Sequence, residues 1–166
     1  PRDLYDFPTN RFVANFIGTP PMNLIPGTLR TGGDSLVFTT EGLNATIPPA
    51  LAERVKDRVG KEIVLGLRPR SFLMPGEQAE EDEKAAAPWV AVPEIAEMLG
   101  DESLVHMRMG DNLIVVSMHP HRVPSLDVPC DIYPIMTRAH FFNPETGQNM
   151  TLNVDIPGRD SIRRKS

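Results

Sequence analysis

A single cysteine, one tryptophan and two tyrosines in 166 residues leave little material for several common kinds of site. Cys130 alone excludes an internal disulfide and any zinc centre built on several cysteines, and it fits a reducing cytoplasm. No apolar run approaches the roughly 20 residues that span a bilayer, and the N-terminus carries no secretory pattern. The chain starts Pro1-Arg2-Asp3 without a methionine, so the expectation is a piece of a longer polypeptide. An excess of positive charge is also missing. Lys and Arg total 17 against 22 Asp and Glu, a net charge of −5, which argues against a general clamp on phosphate backbones. Gly-x-Ser-x-Gly, His-Glu-x-x-His and the glycine fingerprint of dinucleotide sites are all absent.

Proline, by contrast, is abundant, with 17 residues in the chain, about twice its usual share. Proline ends long helices and is kept out of central strands, so many short strands fit better than a helical bundle. Two short helices are expected. Phe12, Val13, Phe16 and Ile17 share one face after Thr9 or Asn10 as cap, with Gly18 and Pro20-Pro21 ending the element. Pro49–Arg58 directs Leu51 and Val55 inward. Most other segments alternate as strands do. Leu43, Ala45 and Ile47 oppose Asn44 and Thr46; Ile63, Leu65 and Leu67 share a face; Val105, Met107 and Met109 oppose His106 and Arg108. Gly110-Asp111-Asn112 supplies a hairpin turn before Leu113–Val116. Residues 36–40, 89–92, 131–136 and 150–154 complete the strand set, which suggests a small barrel with a second, smaller sheet.

Residues 77–84 carry five acids and one base. Their −4 accounts for most of the net charge, and the run is expected to form a solvated, mobile insertion without the alternating oxygens of a calcium loop. The basic end, with Arg159, Arg163, Arg164 and Lys165, is expected to fray. Gly27–Asp34 has the glycine spacing of a phosphate loop but no lysine, and it lies between strands, so it reads as a turn. His119 and His121 lack further ligands beyond Asp127 and Cys130 in a proline-rich loop, and read as ordinary loop histidines. His106 needs no function, and no basic neighbour lowers the pKa of Cys130. The residues alone indicate a non-catalytic β-rich module.

Four stretches carry a resemblance. They are Leu4–Asn23 (LYDFPTNRFVANFIGTPPMN), Leu65–Pro69 (LGLRP), Glu97–Glu102 (EMLGDE) and His140–Gly147 (HFFNPETG). Together they resemble the C-terminal regulatory region of the ATP-binding subunits of carbohydrate-uptake ABC transporters, of the maltose and glycerol-3-phosphate importer type. Two departures stand out. Arg70-Ser71 follows Arg68-Pro69 where the family usually has Glu-His, and Phe141-Phe142-Asn143 stands where it often has Leu-Phe-Asp.

The resemblance implies a mainly β, OB-type barrel with an additional small sheet, a short N-terminal helix and one short helix near 49–59. It implies a connecting segment over 1–22 from a nucleotide-binding domain, a regulatory domain over 23–155 with an acidic loop at about 75–88, and a basic tail over 156–166. Its motif residues, expected to be structural or at an interface, are Phe12, Phe16, Gly18, Met22, Asn23, Gly66, Arg68, Pro69, Glu97, Gly100, His140, Phe141 and Gly147. No catalytic, cofactor or metal residue is implied, since ATP and magnesium belong to the nucleotide-binding domain. The implied partners are a second copy, through the regulatory regions, the nucleotide-binding domain, the membrane permease subunits and, in some members, a regulatory protein. The implied location is the inner face of the plasma membrane. Two other classes compete with this reading: an OB-type barrel that binds a small oxyanion or single-stranded nucleic acid, and an enzyme domain built on a carboxylate pair. The first needs aromatic and basic residues on one strand face, the second a cleft lined by acids.

Overall fold

The computed structural model describes residues 20–81 and 83–156. The helix expected after Thr9 and the basic tail both lie outside these residues.

The strands are β1 (Asn23–Gly32), β2 (Ser35–Thr40), β3 (Leu43–Thr46), β4 (Glu62–Leu67), β5 (Phe72–Leu73), β6 (Trp89–Leu99), β7 (Glu102–Met109), β8 (Asn112–Met118), β9 (Cys130–Pro134) and β10 (His140–Phe142). They form two antiparallel five-stranded sheets, ordered β10-β4-β1-β2-β3 and β5-β9-β6-β7-β8. The OB-type architecture is as expected, with the second sheet equal to the first in strand number. Between β3 and β4 lies α1 (Pro49–Val55), continued by a 3₁₀ turn at Lys56–Arg58. Proline opens this helix, where a missing N–H costs nothing, and Leu51 and Val55 are its buried residues.

Two long strands bend the sheets around one core. Residues 23–28 of β1 pair with β4, and residues 28–32 pair with β2, so Thr28 is shared between them. Gly27 sits at this bend, where an added Cβ would fall 2.6 Å from the Phe38 ring. The glycine therefore serves a close approach inside a strand, and only Gly33-Asp34 of the Gly-rich patch forms a turn. Likewise β6 pairs with β9 over Trp89–Ala91 and with β7 over Val92–Leu99, with a bulge between Pro93 and Ile95. A bulge is where a sheet tolerates a proline.

The core draws on both sheets and α1. Trp89, Phe38, Phe141, Ile25, Leu51 and Met107 are fully buried in it. A smaller apolar cluster of Met22, Val64 and Phe142, with Leu24 against it, forms separately.

Three expectations change. Residues 150–154 form turns rather than a strand, because the Asn149 and Thr151 side chains bond locally and Asn153 adopts a left-handed φ of 61°. Strand β9 stops at Pro134, and a 3₁₀ turn occupies Met136–Arg138. The acidic run is fastened at its end. Glu83 is buried in an ion pair with Arg138, the Lys84 amide donates to Thr137 Oγ1, and Ala85 bridges Ile135.

Candidate functional site

The motif residues gather first at the seam where the chain enters the barrel. Asn23, at the start of β1, is buried although polar. Its Nδ2 donates to the Leu67 carbonyl at 3.1 Å and to the Val115 carbonyl at 2.8 Å, while its Oδ1 accepts from the Val115 amide at 2.8 Å. One side chain thus stands in for a strand along the outer edge of β8 and ties the two sheets together. The Ser117 amide, donating to the Pro69 carbonyl at 2.8 Å, extends the seam. Thr40, accepting from Asn112, continues it at the other end of β8.

Met22 and Gly66 meet on the other side of the first sheet. A Cβ added to Gly66 would fall 2.5 Å from Met22 Sδ and 2.7 Å from Phe142 Cε2, so glycine is what lets these two side chains close over β4. His140 lies opposite Gly66 in the β10–β4 ladder. It is buried with its Nδ1 3.2 Å from Asn149 Nδ2, and Asn149 Oδ1 accepts from the Thr151 amide and hydroxyl. Phe141 packs inward, its ring centroid 6.1 Å from that of Phe38. Arg68 and Pro69, at the end of β4, are both buried, which places Arg68 in the body of the domain.

The last motif builds a loop. Asn143 Oδ1 accepts from the Glu145 and Thr146 amides, and the Gly147 amide closes back on the Asn143 carbonyl at 2.7 Å with φ at 75°. An aspartate would accept the same two bonds, so the departure at Asn143 preserves the chemistry of the turn. Glu97 and Gly100 lie apart from this cluster, on the β6–β7 hairpin. Gly100 adopts a φ of 64° at the hairpin tip, and Glu97 pairs with His106 at 2.7 Å. Phe12, Phe16 and Gly18 lie outside the described residues.

The second surface is the outer face of β6–β8. Ile95, Leu99 and Leu113 are at least half exposed on it, alongside the ion pairs Glu94–Arg108 and Glu97–His106. Sequence reading missed this face. Its signal was present as apolar residues at the outward positions of strands whose inward positions were already apolar.

The remaining candidates stay chemically quiet. His119 and His121 stack with ring centroids 4.8 Å apart, and His119 Nδ1 accepts the His121 amide. Among the described residues no group of three or more His, Cys, Asp or Glu is placed to hold a metal. Burial, and secondarily the charge of Asp131, push the Cys130 thiol above its ordinary pKa. An open groove of about 400 Å³ on the first sheet is walled by Thr28, Thr39, Thr40, Glu41 and Glu62. Among the described aromatic residues, Trp89, Phe38, Phe72, Phe141 and Phe142 are buried and Tyr133 is half-buried, which counts against an aromatic stacking platform on the described surface. Among the described residues no helix is long and apolar enough to cross a membrane.

Comparison with known proteins gives this geometry its context. Residues 18–72 match the model of the MalK OB fold domain. The chain is 34% identical over 160 residues to the sn-glycerol-3-phosphate import ATP-binding protein UgpC of Bordetella pertussis, covering 90% of this chain and 39% of that protein. It is 30% identical over 148 residues to the ABC transporter ATP-binding protein YurJ of Bacillus subtilis, covering 88% and 40%. The chain therefore spans about two-fifths of the length of these relatives. Among solved structures, the cytoplasmic molybdate-binding protein ModG, with molybdate bound, shares the fold. Its TM-score is 0.55 at 14% identity, over 74% of this chain and 96% of that one.

Proposed function

Because the chain belongs to the OB-fold family found in the ATP-binding proteins of ABC importers, we propose that it is the non-catalytic regulatory and dimerisation region of such a subunit. In this reading it covers about 23–155, follows a nucleotide-binding domain that holds ATP and magnesium, and works at the inner face of the membrane with permease subunits. It helps couple ATP hydrolysis to uptake of a sugar or related solute such as a glycerol phosphate.

One observation carries the dimerisation role. A barrel with a filled core presents Ile95, Leu99 and Leu113 to water on a single sheet face. Apolar side chains interleaved with ion pairs are the composition of a protein interface rather than of a ligand pocket. The seam supplies the coupling. Asn23 fastens the point of entry to both sheets, so a displacement of the preceding segment moves the barrel as a body. A regulator acts on such a unit only by binding one arrangement of the pair better than the other.

The test is the oligomeric state of the full-length protein without nucleotide, compared with a truncation ending before Met22. Sedimentation is expected to show a dimer that the truncation loses. A truncated protein that dimerises equally well refutes the proposal.

A further inference from the structure

The distal half of β6 is paired on one side only. Strand β9 accompanies it over Trp89–Ala91, and the Asp127 amide then donates to the Pro93 carbonyl at 2.7 Å. From Glu94 to Leu99, no strand among the described residues lies on the side of β6 away from β7. Apolar exposure concentrates along this edge. Ile95, Met98 and Leu99 are 58, 64 and 50% exposed, and Leu126 and Val128, on either side of Asp127, are also exposed. Edge strands are ordinarily guarded by lysine, proline or a covering segment. Between Ile95 and Leu99 there is neither lysine nor proline, and the one charge, Glu97, is held by His106 of β7.

We infer that Ile95–Leu99 is a self-pairing edge, which bonds antiparallel to the same segment of a second copy and joins two β6–β8 sheets into one. This deepens the dimerisation reading and rests on it. The register argues for a second copy. An antiparallel edge that meets itself across a two-fold axis normal to the sheet opposes residues whose numbers have a constant, even sum. Centred on Glu97, the pairing sets Ile95 against the partner's Leu99 and Ala96 against the partner's Met98. Every apolar position then faces an apolar one. The only like-charged contact falls on the axis, between carboxylates that each already have an imidazole. Centring on Ala96 sets Ile95 against the partner's Glu97 and Met98 against the partner's Glu94, which opposes apolar groups to charge at four places. Five residues of edge bury far less than the roughly 800 Å² per partner of a standard interface, so this pairing adds to other contacts in the full-length protein.

The experiment uses the full-length protein with Cys130→Ser and no other cysteine. Glu97→Cys lies on the axis and is expected to form a disulfide dimer under mild oxidation at least tenfold faster than Asp34→Cys, at the exposed β1–β2 turn of the other sheet. Met98→Lys, at an exposed position, is expected to raise the dimer dissociation constant at least tenfold while the circular dichroism stays unchanged. If sedimentation still shows a dimer, but Glu97→Cys cross-links no faster than Asp34→Cys and Met98→Lys leaves the constant unchanged, the edge pairing is overturned and the dimerisation reading stands. If the unmodified full-length protein is a monomer at every concentration, both fail.

Discussion

At Asn23 one buried side chain replaces a length of strand. Asn23→Ala removes three hydrogen bonds and leaves the Val115 amide and two carbonyls without their partner. At about 1 kcal/mol net per bond, the loss is about 3 kcal/mol. For a chain of this size each kcal/mol corresponds to about 2–4 °C, so the melting temperature is expected to fall by about 6–12 °C. Asn23→Asp keeps the shape and separates geometry from charge. Its carboxylate still accepts from the Val115 amide, but the second oxygen now faces the Leu67 and Val115 carbonyls at a position 8% exposed. At neutral pH the aspartate is expected to be worse than the alanine. Burial and the two carbonyls raise its folded-state pKa above the ordinary carboxylate value, so the folded protein binds the proton more tightly than the unfolded chain. Stability relative to wild type is therefore best below about pH 4, where the protonated acid donates one bond, and declines as pH rises through the raised folded pKa. Thermal unfolding from pH 3 to 8, with amide exchange at Val115, measures both effects. An aspartate variant as stable as wild type at neutral pH, or exchange at Val115 unchanged in the alanine variant, refutes the seam.

Other substitutions probe separate features. Gly66→Ala drives a methyl group into Met22 and Phe142; overpacking costs about 1–3 kcal/mol, less about 0.4–1 for a stiffer unfolded chain, so a net loss of about 1–2 is expected by denaturant titration. Arg138→Ala strands the buried Glu83 carboxylate at a cost of about 3 kcal/mol, the low end for a pair whose arginine is partly exposed. It is also expected to free the chain at Lys84 for tryptic cleavage, followed as a time course of limited proteolysis. Cys130 is expected to alkylate more slowly at pH 8 than a small free thiol, because its raised pKa leaves less thiolate; a faster rate contradicts the burial assigned to it.

Much of the fold was legible because strand alternation is local. The β7–β8 hairpin follows from the alternation on either side of Gly110-Asp111, and α1 from Leu51 and Val55 after a proline. Reading failed where side chains took over the role of backbone. Residues 150–154 look extended by composition, yet Asn149 and Thr151 satisfy the β10 edge through their side chains and the chain turns instead. The acidic run looked detached because charge density is visible in a sequence, whereas the arginine that buries Glu83 lies 55 residues away.

The sequence by itself determined the strand content, the turn positions and the kinship, since each is written in neighbouring residues or in ordered motifs. Only the tertiary structure decided what the motif residues do. Met22, Asn23, Gly66 and His140 belong to three separate stretches, and packing brings them together around β4, Asn23 toward the second sheet and Met22 over the opposite side. The edge of β6 that no described strand covers likewise has no local signature, because an edge is defined by what does or does not lie beside it in the fold.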